Sequence, residues 1–192
     1  LSEDTLKTAH IGLFWESIRG KFPNTVGVAP VQAIVESAAE TTVEMQLDVM
    51  PPMRRVWFMT EDGRNLVQLQ QDRFIFNWKR VKPDDEYPSY DQVAADFRER
   101  FDEFTSFLRD QSLGELTFRQ LELTYVNHIP NSSLSGEHPA TVLVDYSRAN
   151  ASSRFLPPPT GFKWASGYEL PNGAGRLHVV CQTARVQQEP VV

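Results

Sequence analysis

The sequence predicts an α+β protein in which long α-helices pack on one face of an antiparallel β-sheet. Two β-rich runs flank an Asp62-Gly63 turn, which is typical of a β-hairpin. The strand-like runs follow one another through turns and not through crossover helices, so the sheet is expected to be antiparallel. A strongly amphipathic helical segment follows these runs and supplies the apolar face that would cover the sheet.

The first third of the chain is predicted to hold one helix and two short strands. The helix spans residues 2–22, with Ser2 as its cap and apolar residues recurring on one face. Residues 31–35 are a candidate short strand. Apolar and polar residues alternate over 42–49, as a half-buried strand requires.

The middle of the chain carries the clearest signals. The predicted strands are 55–61, 66–71 and 74–80, with a bulge or a tight turn at Asp72-Arg73. Ser89 and Gln92 form a capping box that starts a helix ending near residue 112. Its apolar face is formed by Val93, Phe97, Phe101, Phe104 and Leu108. This helix is expected to seal the core.

Residues 115–129 are predicted to form the clearest strand, because apolar and polar side chains alternate along it. Further strands are expected over 140–146, 162–168 and 176–186, the last two joined by a turn cluster over 170–175. The chain is expected to be one α+β domain, 1–192. Two similar β-rich halves, 1–130 and 131–192, are a possible subdivision, and we expect native sequence beyond one or both ends.

Composition narrows the class of protein. The chain has 192 residues, 41% of them hydrophobic, and a net charge of −6, which disfavours sequence-independent nucleic-acid binding. One cysteine, Cys181, fits a reducing compartment, so a cytoplasmic location is expected. No apolar run is long enough to span a bilayer, and no membrane association is predicted.

The sequence predicts no catalytic residue, cofactor or metal site. The four histidines lack the spacing of known metal-ligand motifs, and no serine stands in a G-x-S-x-G frame. The Gly173-Ala-Gly175 stretch lacks the lysine and the following helix of a phosphate-binding loop, so it is interpreted as a turn.

The candidate site is a polar sheet face rich in amide groups. Strand parity places Gln68, Gln70 and Asp72 together, and Arg73 with Asn77 on the other side unless a bulge resets the alternation. Amides, Arg and Trp suit the recognition of a protein partner. The alternative is an ordinary solvent-facing sheet side. The predicted binding residues are Gln68, Gln70, Asp72, Arg73, Asn77, Trp78, Gln120, Glu122, Asn127 and His128.

Two stretches of the sequence resemble motifs of a known protein family. Gln68-Leu-Gln70, Asp72-Arg-Phe74 and Asn77-Trp78, followed by Thr124-Tyr-Val-Asn-His-Ile129, resemble a sporadically distributed prokaryotic family of uncharacterised proteins. The resemblance runs from about residue 10 to the end of the chain. It implies a cytosolic protein of about 250 residues with further strands and a last helix. The family has no established catalytic residues to carry over.

Three functions remain open at this point. The first is a non-catalytic protein- or peptide-binding module, with a protein partner or a homo-oligomer and an accessory or defence role. The second is an enzyme or small-ligand receptor with a site between the sheet and the long helix, formed by Arg73, Asn77, Glu122 and His128. Nucleic-acid binding through the basic residues is the least favoured because of the net charge.

Overall fold

The structure, a computed structural model, describes residues 5–31, 34–36, 41–43, 53–129 and 161–184. These ranges contain two α-helices and eight strands that pair in three antiparallel sheets. The α+β class and the antiparallel pairing are therefore confirmed. The chain divides into two compact units, residues 1–123 and 124–192, and each is described by itself.

The helices and strands of the described ranges have the following bounds. The helices are α1 (Thr8–Ile18) and α2 (Tyr90–Asp110). The strands are β1 (Asn24–Val28), β2 (Ile34–Glu36), β3 (Thr41–Val43), β4 (Arg55–Met59), β5 (Asn65–Gln70), β6 (Arg73–Trp78), β7 (Lys163–Glu169) and β8 (Arg176–Gln182).

The predicted central hairpin and the predicted long helix are present. Gly63 has a positive φ of 71° at the tip of the β4–β5 turn, where the Asp62 carboxylate accepts the Arg64 N–H at 3.0 Å. The helix α2 starts after Ser89, whose hydroxyl accepts the Gln92 N–H at 3.4 Å. Both elements rest on local patterns that need no distant partner.

Other boundaries differ from the predictions. Helix α1 starts after Lys7, later than predicted, and the predicted cap Ser2 lies outside the described residues. The candidate strand at 31–35 is displaced to β2, which pairs with β3. Most of the predicted 42–49 strand and all of 140–146 lie outside the described ranges.

The first unit is organised by a four-stranded sheet in the order β1-β4-β5-β6. Opposite partners share a face, and successive residues alternate between faces. The core face carries Val56, Phe58, Val67, Leu69, Phe74 and Phe76. The opposite face, called the polar face, carries Arg55, Trp57, Met59, Leu66, Gln68, Gln70, Arg73, Ile75 and Asn77, with Asn24, Val26 and Val28 of β1.

Aromatic rings fill the space between the core face and the helices. Phe14 of α1 meets Phe58 and Phe104 edge-on, with ring centroids 6.0 and 5.2 Å apart. Phe74 of β6 stacks on Phe104 of α2 at 5.2 Å. Each buried ring contributes several kcal/mol to the free energy of unfolding. Truncating it loses both the favourable transfer of the ring from water and its close packing contacts.

Residues 115–129 form no strand, so this prediction is wrong. Leu113 and Leu116 still pack on the core, but the side chains beyond them are exposed, including Leu121 at 82%. Alternation gives a segment two different faces, but it does not supply an apolar surface to bury one of them. Without that burial, the pattern does not fix a sheet position.

In the second unit, the described strands β7 and β8 form a hairpin in which Trp164 faces Cys181. The predicted turn cluster joins them, and the Leu170 N–H donates to the Gly175 carbonyl at 2.8 Å. Most residues of both strands are exposed. A two-stranded hairpin with both faces exposed to solvent is only marginally stable by itself.

Candidate functional site

The structure brings four of the ten predicted binding residues onto one sheet face. Gln68 and Gln70 share the polar face with Arg73 and Asn77, because Gln70 pairs directly with Arg73 and Leu66 with Asn77. A two-residue turn resets the alternation between β5 and β6, as the open alternative at Asp72-Arg73 allowed. The turn, and not a bulge, therefore decides which residues meet.

The polar face is used within the chain. Gln68 and Gln70 are each only 8% exposed, and the Gln68 amide donates to the Asn77 side chain. The Gln70 amide accepts the Val31 N–H at 2.8 Å and donates to the Val31 carbonyl at 3.0 Å. Buried amides need such partners, so the chain after β1 already occupies the polar face at Gln70.

The Asp72–Arg73 pair closes the β5–β6 turn. The Arg73 Nη2 lies 3.1 Å from the Asp72 Oδ2, and the Asp72 carboxylate also accepts the Gln70 amide at 2.8 Å. These contacts stabilise the turn itself. Trp78 lies across the sheet from these residues, on the core-face side, and meets the Tyr87 ring edge-on at 5.5 Å.

The remaining predicted residues do not join the sheet. Gln120 and Glu122 are exposed and lie outside every strand of the first unit. Asn127 and His128 are also exposed and outside any strand, and they belong to the second unit. Their placement follows from the failure of the predicted strand at 115–129, which would have aligned them.

Two cavities of about 380 Å³ each border the β4–β5 turn and the first half of α2. Asn65 and Asp96 line both of them. The first is acidic, with Asp62, Asp84, Asp85, Glu86 and Asp96 around Arg64. Neither is lined by Arg73, Asn77, Glu122 or His128, the residues proposed for an enzyme or receptor site.

Asp85 at the acidic cavity has a structural role. Its carboxylate accepts the Lys82 N–H at 2.8 Å and the Val81 N–H at 2.9 Å, and lies 2.5 Å from the Arg64 guanidinium. The Lys82 hydrogen bond first, and then the Arg64 hydrogen bond, lower the pKa of Asp85 to about 2. The carboxylate therefore ties the loop after β6 to the β4–β5 turn.

A second ionic network joins the end of α1 to α2. Lys21 Nζ lies 3.0 Å from Glu99 and 3.7 Å from Glu103. Arg100, only 5% exposed, pairs with the same two carboxylates. Hydrogen bonds from Arg100 first, and then from Lys21, lower the pKa of Glu99. Lys21, three residues before the start of β1, is thus paired with carboxylates.

β1, which forms one edge of the sheet, was not predicted from the sequence. The Thr60 N–H donates to the Asn65 carbonyl at 3.0 Å, so the even-numbered residues of β4 bond to β5 and the odd-numbered ones to β1. The backbone groups of Thr25 and Gly27 consequently point away from the sheet. Among the described residues, none hydrogen-bonds to them.

Within its own five residues, β1 lacks the charged residues and prolines that commonly block strand pairing. Four of its five residues are exposed, and Val26 is 42% exposed. It contains no charged residue and no proline, both of which proteins place at edges to prevent association. The signal for this strand was present, since Thr25, Val26 and Val28 are β-branched and lie between two prolines.

No protein-family model matches the chain, and comparison with curated proteins and with solved structures finds no significant match. Within the described ranges, neither helix has the length and apolar character of a membrane span. The same ranges contain no cluster of three or more His, Cys, Asp or Glu side chains able to hold a metal ion.

Proposed function

We propose that this chain is a non-catalytic protein- or peptide-binding module that accepts a partner strand at the open edge of β1. The observation that carries the proposal is the pair of outward-facing peptide groups at Thr25 and Gly27, on an exposed and uncharged edge strand. Two such residues provide two N–H donors and two C=O acceptors. An extended peptide saturates all four by adding one strand to the sheet.

The binding surface of this proposal is the sheet edge and not the amide groups of the polar face. Gln68 and Gln70 already bond within the chain, so a partner would have to displace Asn77 or Val31 to reach them. At the edge of β1, no hydrogen bond between described residues has to be displaced. Recognition by strand addition uses the backbone for affinity and neighbouring side chains for selectivity.

The alternative of an enzyme or small-ligand receptor receives less support. Phe74 touches Phe97, Phe101 and Phe104 of α2 with ring centroids 5.2–6.2 Å apart. These ring contacts fill the space between Phe74 and the facing residues of α2, and close packing of this kind leaves no room for a substrate there. In each of the two surface cavities, lining residues pair with one another: Arg64 with Asp85 in the first, and Lys21 with Glu99 in the second.

The other expectations remain proposals. We infer that α1 and α2 form one layer over the core face. We also infer that the chain is one α+β domain, with similar β-rich halves at 1–130 and 131–192 as the possible subdivision. The single cysteine supports a cytoplasmic location, and the net charge of −6 disfavours nucleic acid as a partner. Only the sequence motifs support the proposal that this chain belongs to the prokaryotic family described above, with an accessory or defence role.

The proposal is tested with heptapeptides selected from a random display library on the purified protein. Gly27→Pro removes one outward N–H, whereas Gly27→Ala retains it. A Cβ at this position lies 3.9 Å from the Arg54 Cδ, which is ordinary contact. We expect selected peptides to bind the wild type and Gly27→Ala, and to lose at least tenfold in affinity for Gly27→Pro.

Equal affinity of the selected peptides for Gly27→Pro and Gly27→Ala would contradict binding at this edge. Sedimentation of the free protein provides a second measurement, because a second copy is one form that the partner strand could take. A dimer that dissociates in Gly27→Pro and persists in Gly27→Ala would support edge pairing between copies.

A further inference from the structure

The two ends of β1 differ in charge. At the Asn24 end, Lys21 is paired with Glu99 and Glu103 at 3.0 and 3.7 Å. At the Val28 end lie Arg54 and Arg55, and within the described residues no carboxylate pairs with either of them. Within the described ranges, an incoming strand therefore meets a paired Lys21 at one end and two guanidinium groups without a carboxylate partner at the other.

Arg54 and Arg55 approach β1 from opposite faces of the sheet. The Arg54 side chain passes over Gly27, since its Cδ is 3.9 Å from the position that a Cβ on Gly27 would occupy. Arg55 pairs in register with Val28 and belongs to the polar face. Successive residues of a strand point to opposite faces, so the two guanidinium groups bracket the Gly27–Val28 end.

Arg55 carries an unmet hydrogen-bond donor. Its guanidinium carbon lies 5.6 Å from the centre of the Trp57 ring, which positions the side chain without satisfying it. Its Nε is buried, and in the described part of the chain it has no hydrogen-bond partner. A buried guanidinium donor left without an acceptor is costly, and a carboxylate is the acceptor that binds guanidinium best.

We propose, on the basis of the edge-binding function proposed above, that the strand that pairs with β1 carries a carboxylate side chain where it passes Gly27 and Val28. Arg54 binds this carboxylate if it lies on the Gly27 face of the sheet, and Arg55 binds it if it lies on the Val28 face. The ligand class is an extended acidic peptide segment. In the antiparallel arrangement, the partner strand begins at the Val28 end, so its acidic residue precedes an uncharged run of β-branched residues.

The test uses three blocked, fluorescently labelled heptapeptides of alternating Val and Thr that begin with Glu, Gln or Lys. Affinities are measured by anisotropy at low salt. We expect the Glu peptide to bind about three- to tenfold more tightly than the Gln peptide, and the Lys peptide to bind most weakly. The preference should shrink as salt is raised, because ions screen exposed charges.

The matched variants separate charge recognition from strand pairing. In the double variant Arg54→Gln, Arg55→Gln, the Glu and Gln peptides should bind equally, at the affinity of the Gln peptide for the wild type. The control Lys79→Gln, Arg80→Gln removes two cations next to the opposite edge strand, β6, and should preserve the Glu preference. Thermal unfolding of each variant confirms that the fold is retained.

The outcomes distinguish this inference from the proposed function. Equal binding of the Glu and Gln peptides to the wild type would overturn the acidic-partner inference and leave edge binding intact. A Glu preference that survives in the Arg54→Gln, Arg55→Gln variant would also overturn it. Failure of all three peptides to bind would contradict the proposed function and this inference with it.

Discussion

The two edges of the four-stranded sheet are built differently. At β6, the backbone groups of Phe74, Phe76 and Trp78 face outward, because the Lys79 N–H donates to the Arg64 carbonyl at 2.8 Å and sets the alternation. All six residues of β6 are half-buried, and α2 packs against this strand. In β1, by contrast, four of the five residues are exposed.

The difference shows that edge position alone does not make a binding surface. β6 is flanked by Arg73 at its start and by Lys79-Arg80 after its end, and Tyr87 packs against Trp78. Charged residues and covering side chains are the usual means of preventing strand addition. β1 contains no charged residue, and four of its five residues are exposed. We therefore assign binding to β1 and not to β6.

The largest effect is expected from Phe104→Ala, which removes the ring that joins α2 to the β6 side of the sheet. Phe104 is 3% exposed and contacts both Phe14 and Phe74. The free energy of unfolding should fall by about 3–5 kcal/mol. Chemical denaturation measures this. A change below about 1 kcal/mol would mean that the helix does not seal the core.

Two further truncations sharpen the same point. Phe101 is only half-buried, so Phe101→Ala should cost about half as much as Phe104→Ala. Leu13 is exposed on α1, and Leu13→Ala should leave stability nearly unchanged. An equal loss in all three variants would contradict the assignment of the core.

A smaller effect is expected from Val26→Pro in β1. Val26 pairs with Trp57 as a hydrogen-bonded pair, so proline removes a ladder hydrogen bond and should destabilise the protein by about 1–3 kcal/mol. Gly27→Pro, one residue further along, removes an outward N–H and should cost clearly less. Thermal and chemical unfolding compare the two. A reversed order would mean that the ladder assignment of β1 is wrong.

Asp85→Asn tests the loop that follows β6. The folded-state pKa of Asp85 is about 2, below the usual 3.8, so the folded protein binds this proton more weakly than the unfolded chain. The carboxylate stabilises the fold fully above pH 5 or so, and this contribution is lost as the pH falls from about 4 towards 2. At pH 7, Asp85→Asn should lower the unfolding temperature.

The difference in unfolding temperature between the wild type and Asp85→Asn should therefore become smaller as the pH falls. Asp84→Asn is the matched control, because its neighbour Asp85, and not Asp84, holds Arg64. A difference between Asp85→Asn and the wild type that stays constant between pH 7 and pH 2 would contradict the role assigned to the charge.

The smallest effect is expected from Gly27→Ala. Gly27 does not have a positive φ, and its Cβ position is open to ordinary contact. Alanine at such a position restricts the unfolded chain and should stabilise the protein by about 0.4–1 kcal/mol. Destabilisation would indicate that Arg54 needs the space above Gly27.

The elements that could be predicted from the sequence are those specified by their own residues. The heptad-like spacing of α2 and the Asp62-Gly63 turn each contain the pattern that forms them. β1 was missed because five residues that include Asn and Gly carry a weak strand signal. Its place at the sheet edge depends on pairing with β4, more than 25 residues away.

The candidate site was predicted only in part for the same reason. Parity grouped Gln68 with Gln70, but the turn at 71–72 decided that Arg73 and Asn77 join them. The hydrogen bond from the Val31 N–H to the Gln70 side chain joins residues 39 positions apart, and no local sequence pattern predicts it. The wrong strand at 115–129 shows the converse, since a strong local pattern did not create a partner surface.

Amide hydrogen exchange with and without a selected peptide tests the central claim most directly. In the free protein, Thr25 and Gly27 should exchange quickly and Val26 slowly, because only Val26 bonds to β4. Peptide binding should protect Thr25 and Gly27 and leave Phe74, Phe76 and Trp78 unchanged. Protection that appears at β6, or at neither edge, would contradict the account.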